Sequence, residues 1–146
     1  MSDRAFVDTN ILMYAHDAGA GPKHERARAL VEQIWHDGTG VISTQVLQEL
    51  RVNLRRKVGR PVNARTAREI IADYLAWTVV VNTGEAILEA MEIEDRYQLS
   101  FWDALIVRAA EASGAAVLYS EDLSDGQVYH GVRVINPLSD DQPSAI

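Results

Sequence analysis

Ala5-Phe6-Val7-Asp8-Thr9-Asn10-Ile11-Leu12 is the stretch that decides the fold. Its first three residues are apolar without polar alternation, and the run breaks off on an acid. A strand of that kind needs cover on both faces, as at the centre of a parallel sheet flanked by helices. Outward from it, helical and extended segments take turns. Arg26 to Trp35 sets Ala27, Leu30, Val31 and Ile34 at helical spacing, and Gly38 and Gly40 end that helix. Val41-Ile42-Ser43 reads as a second strand. Ser43 or Thr44 then caps a helix carrying Val46, Leu47, Leu50 and Leu54, which Gly59 and Pro61 stop. Ala64 to Leu75 predicts a helix, Thr78 to Val81 a strand, and Glu85 to Tyr97 an amphipathic helix with Ile87, Leu88, Met91 and Ile93 as its apolar face. Phe101 to Ala112 is Ala-rich and nearly apolar, which predicts a deeply buried helix. Ala115 to Tyr119 and Val132 to Ile135 complete the strands, the last closed by Asn136-Pro137.

Such alternation implies right-handed crossovers and a three-layer α/β/α sandwich around a central, mostly parallel sheet. The chain of 146 residues is expected to form one domain over 1–138, with a polar tail at 139–146. At 47% hydrophobic and 24% charged residues it has the composition of a packed globule. Fourteen Lys and Arg against 21 Asp and Glu leave a net charge of −7, which argues against coating nucleic acid through bulk charge. The lack of cysteine excludes disulfide scaffolds, thiol nucleophiles and cysteine-built zinc sites. With no signal-peptide core and no long apolar run, the expectation is a soluble, cytoplasmic protein that makes no use of a membrane.

In an open α/β sheet, ligands gather beyond the carboxyl ends of the strands, where the strand order changes direction. Four acids can meet there. Asp8 closes the first strand, Glu49 lies in the helix after the second, Asp103 opens the buried helix, and Asp122 follows the strand ending at Tyr119. Each has a plainer explanation. Asp8 could cap a helix, Asp103 could complete a capping box with Ser100, Glu49 could be solvated, and Asp122 could belong to an ordinary turn, Ser120 to Gly126. Spacing argues against two of these. Asp103 shares a helical stripe with Ile106, Val107 and Ala110, and Glu49 falls between Val46 and Val52 on the wheel.

Together the four acids pose an electrostatic problem. Two unit charges about 5 Å apart repel by roughly 3 kcal/mol at an effective dielectric near 20. A pocket of carboxylates must therefore take up protons or hold a hard cation, and Mg²⁺ or Mn²⁺ suits a set of oxygen donors. Asp8 and Asp103 are the first choice as direct ligands, with Glu49 or Asp122 orienting water or holding a second ion. Thr9, Asn10 and Ser120 are placed to hydrogen-bond the carboxylates or the substrate. Such a site serves phosphodiester cleavage. The interval Arg51 to Arg68 holds seven of the fourteen basic residues and no acid, so Arg51, Arg55, Arg56 and Lys57 are candidates to grip an RNA backbone. It could equally be a solvated helical face. His16, His24, His36 and His130 have no metal-site spacing, and a His16/His130 acid–base pair is a metal-free alternative.

Phe6-Val7-Asp8-Thr9-Asn10-Ile11-Leu12, Leu47-Gln48-Glu49-Leu50, Ser100-Phe101-Trp102-Asp103-Ala104-Leu105-Ile106 and Leu118-Tyr119-Ser120-Glu121-Asp122-Leu123 together resemble the ordered signature of PIN domains. The likeness is to the VapC-type toxins of bacterial toxin–antitoxin pairs, and it spans nearly the whole chain. It implies a Mg²⁺- or Mn²⁺-dependent endoribonuclease, homodimeric and held inactive by a cognate antitoxin. On the family's pattern the acids map onto Asp8, Glu49, Asp103 and Asp122, with Ser120 at the usual hydroxyl position; Glu121 and Asp125 stand beside the fourth. The −7 charge and the acid cluster suit a basic antitoxin segment, whose arginine would pair with the carboxylates. Two other readings share the architecture: a signalling receiver domain that takes a phosphoryl group on Asp, and a PIN-like module that binds RNA or a partner without cutting.

Overall fold

The structure, a computed structural model, describes residues 3–56 and 59–139. In chain order its elements are β1 (Ala5–Val7), α1 (Thr9–Ala15), α2 (Pro22–Asp37), β2 (Gly40–Ser43), α3 (Thr44–Arg56), α4 (Ala64–Tyr74), β3 (Thr78–Val80), α5 (Gly84–Tyr97), α6 (Phe101–Ala112), β4 (Val117–Tyr119), β5 (Val128–Tyr129) and β6 (Val132–Ile135). The strands form one sheet in the order β3-β2-β1-β4-β6-β5. All neighbours run parallel except β5, which lies antiparallel to β6 at an edge. The fold is thus an α/β sandwich with a mostly parallel sheet.

The apolar run at residues 5–7 does occupy the centre. β1 is buried throughout and pairs Phe6 with Val41 on one side and with Leu118 on the other. From β1 the chain steps to β2 and β3 in one direction, then returns to lay β4 on the opposite flank. The switch in strand order therefore falls between β1 and β4, and their carboxyl ends open onto one crevice. The α3 stripe Val46, Leu50 and Leu54 is fully buried, as is most of α6 from Ala104 to Ala110. No helix among the described residues is long and apolar enough to cross a membrane.

Several boundaries differ from the sequence expectation for identifiable reasons. α2 starts at Pro22, not Arg26, because Gly21 turns the chain at φ 65° and proline is favoured in a first helical turn. Gly40 joins β2 as a strand residue; a Cβ there would stand 2.4 Å from the Trp77 ring, so only glycine lets that indole lie against the strand. Ala115 ends the turn after α6, donating its N–H to Ala110 O, and β4 begins at Val117. Between the turn Ser120 to Gly126 and β6 the chain forms a strand that the sequence did not indicate, β5, joined to β6 by His130 and Gly131 at φ 49° and 83°. Two positive φ values in succession make the tight hairpin turn that suits the twist of paired strands. The largest correction concerns α5. Its inward residues are Ala86, Ala90 and Ile93, whereas Ile87, Leu88 and Met91 are 43%, 65% and 48% exposed. Small side chains let α5 pack along α6, which leaves the larger apolar face outward. Lys57 and residues 140–146 of the expected tail lie outside the described residues.

Candidate active site

Asp8 reaches the crevice at the end of a fully paired strand: its main-chain N–H still donates to Tyr119 O at 2.9 Å. The side chain is only 6% exposed. Oδ1 accepts from Thr9 N at 2.7 Å, making Asp8 the N-cap of α1, and Oδ2 accepts from Ser120 Oγ at 2.8 Å. Capping and site membership therefore coexist in one residue. The Ser120 hydroxyl, itself fully buried, also accepts from the main-chain N–H groups of Asp122 and Leu123 at 3.2 and 3.3 Å. One oxygen thereby ties the loop carrying Asp122 to the end of β1.

The remaining acids arrive from separate elements. α3 brings Glu49, whose Oε1 accepts from Thr9 Oγ1 at 2.8 Å. Asp122 Oδ2 accepts from Asn10 Nδ2 at 2.7 Å. Asp103 stands in the first turn of α6, where its N–H donates to the Ser100 side chain at 3.1 Å. That is half of a capping box; among the described residues the Asp103 carboxylate makes no hydrogen bond and is left for the cleft. All four acids, with Thr9 and Asn10, line a single cleft of about 440 Å³. Among the described residues no Lys, Arg or His lines it.

The electrostatics follow from that arrangement. Burial pushes the Asp8 carboxyl up to about 7, opposed by the bonds from Ser120 and Thr9 and reinforced by the charges of Asp122 and Glu49. Asp122 is also raised, first by burial, then by Asp103, Glu121 and Glu49, with Asn10 opposing. The carboxylates feel one another across the cleft.

Other expected residues lie elsewhere. Glu121 turns toward the other side of α1, accepting from Lys23 Nζ at 2.6 Å and Tyr14 Oη at 3.0 Å. Asp125 Oδ1 accepts from Asn136 N at 2.9 Å and steadies the loop beside β6. Among the basic candidates, Arg51, Arg55 and Arg56 do not line the cleft; Arg55 donates to Val62 O at 3.0 Å. The histidines do not pair. His16 packs edge-on to Tyr74 with a 2.8 Å contact to its hydroxyl, and His130 meets Glu111 at 2.8 Å beside Tyr97. The receiver-domain reading needs a cleft lysine; Lys23 is held by Glu121, and Lys57 lies outside the described residues.

Gln45, Gln48, Asn53 and Trp102 also line the cleft, and sequence reasoning passed over all four. The signal lay in helical spacing. Gln45 precedes Glu49 by four residues and Asn53 follows it by four, so the three share one stripe of α3. Gln45 is buried; its Nε2 donates to Trp102 O at 3.3 Å while its Oε1 has no hydrogen-bond partner.

A hard divalent cation suits this donor set. The lining offers carboxylate, hydroxyl and amide oxygens, no neighbouring side-chain cation, and a buried amide oxygen lacking a donor. Among the described residues no group of three or more His, Asp or Glu side chains is arranged to hold a metal ion. Mg²⁺ does not require one, because it keeps several waters and takes only one or two protein carboxylates.

Comparison with known proteins assigns the family. The PIN domain family model matches residues 5–124, most of the chain. This chain belongs to the PIN domain family. No curated protein matches its sequence. Several solved structures resemble it over most of their length. VapC20 of Mycobacterium tuberculosis, described as a sarcin-ricin loop cleaving toxin, is 26% identical with a TM-score of 0.63, covering 81% of this chain and 89% of that one. A toxin–antitoxin complex from Klebsiella pneumoniae is 18% identical with a TM-score of 0.68, covering 91% and 97%. VapBC2 of Rickettsia felis, bound to a DNA fragment from its promoter, is 17% identical with a TM-score of 0.61, covering 89% and 96%. The last two likenesses bear on the fold alone.

Proposed function

We propose that this PIN domain is a Mg²⁺- or Mn²⁺-dependent endoribonuclease of the cytoplasm that acts as the toxin of a toxin–antitoxin pair. The observation that carries the reading is the cleft at the β1/β4 switch point, where four acids from four elements gather without a basic side chain among the lining residues. The likeness to an RNA-cleaving toxin supports the choice of substrate.

In this reading Asp8 and Asp103 hold the cation, with Glu49 and Asp122 orienting water or holding a second ion. A bound cation supplies charge neutralisation at the scissile phosphate and makes water a better nucleophile. The chain's own residues do the positioning. Ser120 and Thr9 N fix the Asp8 carboxylate, Thr9 Oγ1 aims Glu49, and Asn10 aims Asp122. Arg56 follows Asn53 by three residues and so extends the cleft-facing side of α3 into the basic segment. It is a candidate phosphate grip with Arg51, Arg55 and Lys57, and would offset the repulsion an acidic cleft exerts on RNA.

Two partners complete the proposal. An antitoxin with a basic segment would place arginine among the carboxylates and compete with the cation. A second copy of the chain would cover the exposed face Ile87, Leu88 and Met91 of α5. The test is cleavage of structured RNAs, including tRNA, by the purified protein with Mg²⁺ or Mn²⁺. Activity that disappears with EDTA and in Asp8→Ala supports the proposal. RNA left intact by protein that binds the metal, or cleavage indifferent to EDTA, contradicts it.

A further inference from the structure

The residue beside Asp103 has no role in the scheme above, yet it is the most exposed aromatic ring of the cleft. Trp102 is 63% exposed in a helix whose next residues, Ala104 to Val107, are buried. Its position is held from two sides. The Phe101 ring meets it edge-on at 5.3 Å and 73°, and its carbonyl accepts from the Gln45 amide at 3.3 Å. Ser100 caps the helix immediately before it. The main chain that carries the indole is therefore fixed, and the neighbouring Phe101 ring packs against it.

The surroundings indicate what it would hold. Val52 and Ile106 are the other apolar lining residues; the remainder are acids, amides and a threonine. That is unlike the continuous apolar patch a protein partner would cover. A flat, uncharged group that also carries hydrogen-bonding edges fits better, and Gln48 and Asn53 offer amide donors and acceptors in the same cleft. We propose that Trp102 stacks an unpaired nucleobase next to the scissile phosphate and so positions the substrate over the cleft. The proposal rests on the nuclease reading and names a residue that positions the substrate in it. In a duplex both faces of a base are already stacked, whereas splayed-out bases stack on aromatic side chains.

The experiment uses the full chain carrying Asp8→Asn to prevent cutting, with a short fluorescein-labelled RNA, single-stranded or annealed, read by anisotropy in Mg²⁺. Stacking predicts that Trp102→Ala weakens single-strand binding about tenfold or more and that Trp102→Phe keeps most of it, both unfolding at the parent's temperature. Duplex affinity should be low and insensitive to either change. Unaltered single-strand affinity in Trp102→Ala, in a parent that binds RNA, overturns the stacking role. If that variant instead loses self-association in sedimentation with RNA affinity unaltered, the indole is a protein contact and the proposal is wrong. Should the parent bind no RNA and the wild-type chain cut none, the nuclease reading falls and takes this inference with it.

Discussion

Asp122 and Glu121 are adjacent in the chain and opposite in treatment. Glu121 is answered at once by Lys23 at 2.6 Å and the Tyr14 hydroxyl at 3.0 Å. Asp122 turns into the cleft, where a neutral amide is its hydrogen-bond partner and three acids raise its affinity for protons. The same contrast runs through the molecule. Glu89 pairs with Arg108, Glu25 and Glu32 with Arg28, and Glu69 with Arg65, all away from the cleft. Several acids outside the cleft are paired with cations; among the described residues the four that line it have no such pairing. Four carboxylates left to repel one another in a single cleft are the ground on which a cation from solution is proposed to bind there.

The contrast breaks most visibly if a cleft acid is removed. Asp103→Asn should cut metal-dependent RNA cleavage by about a hundredfold or more while moving the unfolding temperature by less than about 2 °C, because that carboxylate makes no hydrogen bond among the described residues. Rates and thermal melts on the same preparation check both halves. Asp8→Ala should lose activity equally but also about 1 kcal/mol of stability, since it removes the α1 cap.

A second expectation concerns the cation itself. At about a hundred times its dissociation constant, Mn²⁺ stabilises the protein by about 2.7 kcal/mol, or roughly 8 °C for a domain of this size. Asp103→Asn should abolish that rise, which differential scanning fluorimetry would show.

The pH dependence is smaller and its sign is definite. Asp8 titrates near 7 in the fold, above the ordinary carboxylate value near 4, so the native state holds this proton more tightly than the unfolded chain. The associated stability is full below about pH 4 and fades as pH rises toward 7. Relative to Asp8→Asn, the metal-free protein should lose a few degrees of melting temperature between about pH 5 and pH 8. Saturating cation should erase that loss by competing with the proton. Smallest of all is the effect on the paired side: Glu121→Gln breaks a partly exposed ion pair and should change stability by less than about 1 kcal/mol and activity less than about twofold.

Much of this site could be read in the sequence because three of the four acids follow a local signal, Asp122 alone being carried by an ordinary turn. Asp8 ends an apolar strand, Asp103 lies three residues after a capping serine, and Glu49 sits off the polar arc of its helix. What could not be read depends on tertiary packing. Ile87, Leu88 and Met91 have the spacing of a core face, yet Ala86 and Ala90 turn inward because α6 comes close enough to be met by methyl groups. Hydrophobicity alone does not say which of two apolar stripes is covered. The β5–β6 hairpin was hidden because His130, not Asn or Gly, holds the first positive φ of its turn. Gln45 and Trp102 were overlooked since an amide and an indole titrate nothing; their place became visible only when α3 and α6 were set across one cleft.

The most direct measurement is a calorimetric titration of Mn²⁺ into the metal-free protein near pH 7, repeated in buffers of different ionisation enthalpy. The account predicts binding accompanied by proton release, because the cation displaces the proton that burial keeps on Asp8, and no binding in Asp103→Asn. Absence of binding by the wild-type chain, or equal binding by Asp103→Asn, would contradict the claim that these carboxylates are gathered to hold a cation.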